Sequence, residues 1–302
     1  MIFHLKICHL ELQLSQMLQN KKIIAQFGLL ITALIWGATF IIVKDAIHLE
    51  TFPPFVFAAV RFSLAAICII FLVDFKSIKE NALGPFLCGV ILFIGYGFQN
   101  YGLEATTPTN SAFITSISVL MVPIILFIFK IEKISLRIWI SVLLAFIGIQ
   151  MISPSGFNIG DKLTFGCALS FAIHIIMQDK FNKEKVVNFF VIQSTTAALL
   201  SFLASLIVED IQQVVFSNEA IIAVLITGLL GSTFALLVMI WAQKILSASE
   251  TAIIIAMEPV FAALFSVYFG YEVLGVISYA GAGLVVFAII FCELSRSNKL
   301  VT

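Results

Sequence analysis

The sequence predicts an all-α integral membrane protein with ten transmembrane helices, and three observations carry that prediction. Hydrophobic residues make up 61% of the 302 and charged ones 11%, against about 45–50% apolar and about 25% charged in ordinary soluble domains. Apolar runs recur from Ile23 to Cys292, with the charges confined to short breaks between them. About 20 such residues, rising about 1.5 Å each, cross a hydrocarbon layer of about 30 Å. The third observation is the placement of Lys and Arg, which falls almost wholly on alternate connections. No run alternates apolar and polar residues with period two, so the pattern argues against a membrane β-barrel.

Bounded by charge or by Gly/Pro clusters, the spans read in order as 24–44, 54–73, 83–103, 110–129, 138–152, 163–178, 187–208, 220–243, 250–270 and 275–292. The first follows Lys21 and Lys22 and is long enough to act as an anchor rather than a cleavable signal. The fifth and sixth are short and span with slight thinning or irregular ends. A second methionine, Met17, stands shortly before the basic flank, so Met1 and Met17 are alternative starts and the stretch upstream is expected to be disordered or absent from the natural chain.

Placing the N-terminus in the cytoplasm puts fourteen of the seventeen basic residues on cytoplasmic segments, among them Lys79, Lys183 and Lys299. Only Lys44 and Lys162 lie opposite, and Arg61 falls within a span. That asymmetry predicts both termini inside. It also checks the helix count, because one span more or fewer would exchange the sides of every later connection. The outer 208–219 loop carries Glu209, Asp210 and Glu219 without a base and is read as a solvated loop. Formal net charge is zero, which suggests no nucleic-acid partner. The five cysteines are scattered and form no Cys-x-x-Cys pair, so they read as packing residues and imply no metal or redox cofactor.

The two halves echo each other. Pro123 and Pro259 sit in the fourth and ninth spans, each followed by an acidic residue at a span end, Glu132 or Glu272, and 16 residues later by Gly148 or Ala288. The proline-to-acid distances are 9 and 13, as if the first copy lacked one helical turn. Five spans per copy is an odd number, so the copies run in opposite senses across the membrane, the plan in which a substrate lies near the midplane between them. The domains follow: a cytoplasmic segment 1–22, a first repeat 23–153, a second repeat 160–293 and a cytoplasmic tail 294–302.

The stretch Ala33-Leu-Ile-Trp-Gly-Ala-Thr-Phe40 with Lys44, the stretch Pro53-Pro-Phe-Val-Phe-Ala-Ala-Val-Arg61, the run Thr107-Pro-Thr-Asn-Ser-Ala-Phe-Ile-Thr115 leading to Pro123, and Glu258-Pro-Val-Phe-Ala-Ala-Leu-Phe-Ser266 through Glu272 together resemble the drug/metabolite transporter superfamily, specifically its EamA-type members. The resemblance implies ten helices in two inverted five-helix EamA-like repeats and carrier-mediated transport of small metabolites through the cell inner membrane. It leaves the substrate open.

Two charges lie well inside spans. Arg61 is about 12 Å and Glu258 about 13 Å from the nearer start of its helix, and an ionised group at such depth costs roughly 2.5–3.5 kcal/mol on insertion scales. Arg61 is read either as the partner of an anionic substrate group or as a tie between helices. Glu258 is read as a proton-coupling carboxylate, a counter-charge to a cationic group, or an acid hydrogen-bonded in the bundle. Pro259 and Pro123 mark helix breaks that free backbone groups to line a cavity. Trp36 stands mid-span, where interfacial anchoring does not explain an indole, and is read as a wall of the site or as helix packing. Tyr96 and Asn100 on the third span, with Asn110, Ser111 and Thr115 on the fourth, form a candidate polar lining, to which Trp241 adds from the eighth. Gln99, Tyr101, Ser232, Thr233 and Gln243 belong to the same polar sets, whose members are read equally as interhelical hydrogen bonds. His174 and Gln178 share a helix face, without a second ligand to complete a metal site.

No P-loop and no His-Glu-x-x-His motif occurs, so ATP drive and zinc hydrolysis have no support. The leading reading is a gradient-driven carrier, with protons or a counter-transported metabolite as partners and no cofactor. Arg61 together with Glu258 suits a zwitterion such as an amino acid or S-adenosylmethionine. An intramembrane lipid-modifying enzyme or a non-transporting scaffold is the alternative.

Overall fold

The computed structural model describes residues 2–47, 51–76, 82–131, 133–152, 158–182, 185–271 and 273–297. Glu132 and Glu272, and the basic residues Lys79, Lys183 and Lys299, lie outside the described residues. Helix α1 is continuous from Ile2 to Ala46; no Gly or Pro interrupts the sequence before Gly28, so the segment expected to be disordered prolongs the first span as helix. Then come α2 (Pro54–Ile69, finishing in the 3-10 turn Ile70–Leu72) and α3 (Leu83–Ala105). A broken pair follows, α4a (Pro108–Thr115) and α4b (Ser118–Ile128), with α5 (Leu136–Ile152) after it. The second half contains α6 (Ile159–Phe181), α7 (Val186–Val208) and α8 (Asn218–Ala242). A second broken pair, α9a (Ala248–Ile255) and α9b (Glu258–Tyr268), precedes α10 (Val276–Ser297). No strand occurs among the described residues.

Eight of these segments are long and apolar enough to cross a membrane, from Gln19–Ala46 to Ala248–Tyr268, while Leu136–Gly148 and Val276–Ala288 are shorter apolar helices. The sixth span is longer than its apolar run. The Asn158 side chain accepts from Asp161 N and the Asp161 carboxylate from Asn158 N, and this reciprocal cap starts α6 four residues upstream of the predicted start at 163. Large apolar side chains such as Phe71, Phe127, Ile207 and Tyr268 are exposed around the bundle, as suits a surface whose solvent is lipid.

The repeat is more regular than the proline positions suggest. The break at Ser116–Ile117 recurs at Ala256–Met257, and the left-handed residue Lys130 (φ 54°) recurs as Gly270 (φ 79°). The closing bond Ile131 N to Leu126 O (2.9 Å) likewise recurs as Tyr271 N to Ser266 O (2.8 Å). Each pair is 140 residues apart, as are Glu132 and Glu272, so no turn is missing from the first copy. The two prolines are simply not equivalent positions. Pro259 stands in the first turn of α9b, directly after its break, whereas Pro123 lies inside α4b and breaks nothing. At the first-copy position matching Pro259, Val119 donates to Ser116 O (3.0 Å). That break is accompanied instead by Ser116, whose hydroxyl donates to Ala112 O at 2.9 Å, a back-bond that bends helices.

The halves interlock rather than sit side by side. Helix α3 packs on α6 and α7, α2 on α7, α1 on α8 and α9b, and α5 on α10. Close approach depends on small residues: a Cβ on Gly160 would meet Gly102 O at 2.4 Å, and one on Gly148 would meet Gly281 O at 2.6 Å. At the end where α1 finishes, polar ties join the elements. Lys44 donates to the carbonyls of Leu103 and Glu104 at the C-terminus of α3, 2.8 Å each. Thr106 donates to Asp161 at 2.5 Å. The Tyr271 hydroxyl donates to Asp45. Glu209, read above as part of a solvated loop, instead accepts from Phe55 N (2.7 Å), Val56 N (3.0 Å) and the Tyr101 hydroxyl (2.7 Å). It caps α2, whose own N-cap, Pro53, has no side-chain acceptor. At the opposite end, Lys22 pairs with Glu250 at 3.2 Å.

Candidate functional site

A cavity enclosing about 730 Å³ of space unfilled by atoms, its open end included, lies between the halves. Its wall is drawn from α1 (Trp36, Thr39, Phe40), α2 (Arg61), α3 (Tyr96, Gln99), the breaks of α4 and α9 (Ser116, Ile255), α6 (Phe171, His174) and α8 (Leu236, Met239). Seven of the residues singled out in the sequence, Trp36, Arg61, Tyr96, Gln99, Thr115, His174 and Glu258, meet there although they stand up to 222 positions apart.

Arg61 is 2% exposed. Its Nε donates to Ser232 Oγ at 2.7 Å and its Nη2 to the Tyr96 hydroxyl at 3.4 Å. The guanidinium carbon stands 4.6 Å from the centre of the Tyr96 ring and 5.6 Å from that of Phe62, within cation–π range. Among the described residues no carboxylate forms an ion pair with it. Glu258, 5% exposed, opens α9b. Among the described residues it too has neither a hydrogen-bond partner nor a cationic one. Two opposite formal charges therefore share one buried cavity without neutralising each other directly, an arrangement costly in low dielectric unless water or a ligand completes it.

Trp36 combines both sequence readings: its ring lines the cavity while Nε1 donates to Gly231 O at 2.7 Å. Gly231 and Ser232 belong to a feature the sequence did not signal, an eight-residue π-helical turn, Thr227–Phe234, in the middle of α8. Thr233 Oγ1 donates back to Gly228 O, five residues earlier, at 2.9 Å, the spacing of a π turn.

The other expected lining residues are elsewhere. Asn100 is buried, with Nδ2 donating to Pro54 O at 3.3 Å. Asn110 and Ser111 are buried on α4a and do not reach the cavity wall. Trp241 packs against an apolar cluster formed by Leu29, Met239 and Leu246. Gln243 bridges Gln178 Nε2 (2.6 Å) and Ile175 O (3.0 Å). His174 does line the cavity, and its Nε2 is 3.2 Å from Gln193 Oε1. Sequence reasoning missed Phe171, Thr39 and Met239, which carry no distinguishing signal among so many apolar residues.

Comparison with known proteins agrees with this architecture. The model of the EamA-like transporter family matches the chain twice, over residues 23–153 and 158–293. An uncharacterized transporter of Archaeoglobus fulgidus is 37% identical over 280 residues, covering 91% of this chain and 87% of its own. The uncharacterized inner membrane transporter YedA of Escherichia coli K12 is 23% identical over 292 residues, with 91% and 93% covered. A protein crystal structure superposes with a TM-score of 0.74 at 17% identity, covering 92% of this chain and 99% of that one, a likeness of fold. With both halves matched, the chain is a multi-pass membrane protein that belongs to the EamA-like transporter family.

Proposed function

We propose that this transporter is a gradient-driven secondary carrier that moves a small zwitterionic metabolite across the cell inner membrane by alternating access, with ten spans in two inverted repeats and both termini cytoplasmic. The observation that carries the reading is the pair Arg61 and Glu258. Each is buried on the cavity wall, each without a counter-charged partner among the described residues. A ligand with an anionic and a cationic end, such as an amino acid or S-adenosylmethionine, would complete both at once, the carboxylate by charge-assisted bonds to the guanidinium. In the empty carrier a proton on Glu258 or ordered water would serve the same purpose, which couples the cycle to protons or to a counter-transported metabolite.

Access on the proposed cytoplasmic side is blocked by apolar packing of Leu29, Val122, Leu126, Met239 and Leu246, reinforced by the Lys22–Glu250 pair. The cavity wall extends the other way through Phe40, Val43 and Leu103, which are buried in a second apolar cluster. Counterflow of labelled L-amino acids and S-adenosylmethionine in proteoliposomes tests the reading. Uptake of a member of that set is expected, together with its loss in Arg61→Met. Glu258→Gln should abolish its dependence on pH. Chemical conversion of a lipid without counterflow would point to the enzyme instead, and a Glu258→Gln variant with wild-type transport at every pH would remove the coupling role.

A further inference from the structure

The π turn of α8 touches two cavity residues and belongs to neither of their helices. From it Gly231 O accepts the Trp36 indole proton and Ser232 Oγ accepts from Arg61 Nε, both at 2.7 Å. The fit against Arg61 is close: a Cβ added to Gly231 would stand 3.2 Å from Arg61 Nη2 and 3.2 Å from Thr39 Cγ2. A regular α-helix commits each interior carbonyl to the amide four residues on. A π turn widens the backbone by one residue per turn and offers groups to side chains that a regular helix would withhold. The Thr233 hydroxyl bonded to Gly228 O supports that wide turn locally. Ser232 itself is 0% exposed and is not part of the cavity wall.

We propose that the π turn of α8 is a positioning element for the anion-binding end of the cavity: Ser232 fixes the rotation of the Arg61 guanidinium through Nε, so that the Nη edge is presented to the substrate, while Gly231 holds Trp36 as the adjoining wall. Nε is the single donor at the base of the planar fork, and binding it leaves Nη1, together with Nη2 beyond its long 3.4 Å bond to the Tyr96 hydroxyl, to meet a carboxylate. Ser232 is thus a positioning residue that acts through Arg61. The proposal rests on the reading that Arg61 meets an anionic group, and its test separates the two.

Purified protein in nanodiscs is treated with phenylglyoxal, and modification of Arg61 is read by mass spectrometry against Arg137, one of the two other arginines of the chain. Ser232→Ala should label Arg61 faster by about tenfold or more, the worth of one charge-assisted hydrogen bond. Arg137 should be unchanged, and Ser232→Thr, which keeps the hydroxyl, should restore slow labelling. In counterflow with the amino acid that the wild type carries best, Ser232→Ala should raise KM by a similar factor with little change in kcat, and the effect should vanish in an Arg61→Lys background. Unchanged Arg61 labelling in Ser232→Ala, or faster labelling that Ser232→Thr does not correct, overturns the positioning role whatever the substrate. Faster labelling with an unchanged KM upholds the positioning role and refutes the contact between Arg61 and an anionic substrate group.

Discussion

Gly37→Ala is the smallest change that should damage both the fold and the carrier. Gly37 lies on α1 beside Trp36, where α1 crosses the first turn of α9b. A Cβ added there would stand 2.7 Å from Phe261 Cβ, 2.8 Å from Ala262 N and 2.9 Å from Glu258 O. Two of these neighbours are backbone atoms, which no rotamer change moves aside. Bringing them to ordinary contact of at least 3.4 Å requires α1 and α9b to separate by about 0.5–1 Å, and a gap of that size forfeits a quarter to a half of each van der Waals contact on the face. Overpacking of this kind costs about 1–3 kcal/mol, or roughly 2–4 °C of melting midpoint per kcal/mol in proteins of similar size. Thermal melting in detergent measures the first effect and proteoliposome counterflow the second, since the displaced backbone carries Glu258. Gly283→Ala is the matched control: nothing lies within 4 Å of its added Cβ, so a mid-helix alanine should leave stability unchanged or raise it by about 0.4–1 kcal/mol. A Gly37→Ala protein that melts and transports like the wild type refutes the close crossing of α1 on α9b.

Glu209→Gln should lower stability by about 1–2 kcal/mol, because the carboxylate that caps Phe55 N and Val56 N at the start of α2 is lost together with its charge at the helix dipole; a melting midpoint equal to that of wild type would contradict the cap. Lys130→Gly should be neutral or stabilising by up to about 1 kcal/mol, because Lys130 holds φ 54° where Gly270 serves in the second copy. Gly270→Ala, by the same measurement, should be destabilising. Partial burial and the hydrogen bond to Asp45 push the Tyr271 hydroxyl up to about 12, so its raised value makes the contact's stabilisation complete below pH about 10 and lost as pH rises towards 12. Ultraviolet titration of wild type against Tyr271→Phe should show one late tyrosinate disappear.

The all-helical membrane class and the two mid-depth charges were legible because each depends on residue type and run length alone. Lipid admits only long apolar segments, so spans announce themselves. Charges within them are conspicuous for the same reason, and Arg61 and Glu258 do line the cavity. Boundaries were legible only where a local signal was strong. Pro54 starts α2 as read, but the Asn158–Asp161 cap extended α6 beyond its apolar run. Partners of polar residues were not legible. Nothing near Glu209 in sequence indicates that it serves α2, or that Asn100 turns to Pro54 O rather than to the cavity. Such choices are made by elements that meet only after folding.

Prolines were the least reliable guide, and the reason bears on function. The break at Ser116–Ile117 forms with no proline at the equivalent of Pro259, and Pro123 sits inside an unbroken helix. What the two breaks and the π turn share is location. Ser116, Ile255 and Glu258 line the cavity from the breaks, and Ser232 holds Arg61 from the π turn. Irregular backbone at membrane depth is tolerated only where protein or cavity water covers its polar groups, so departures from regular helix collect where a polar cavity already exists. The cavity and the irregularities therefore select each other. A backbone read for where it stops being an α-helix locates the site in this chain more closely than any motif, and predicts that restoring a regular α-turn in α8 by deleting one residue between Thr227 and Phe234 would release Arg61 and Trp36 together.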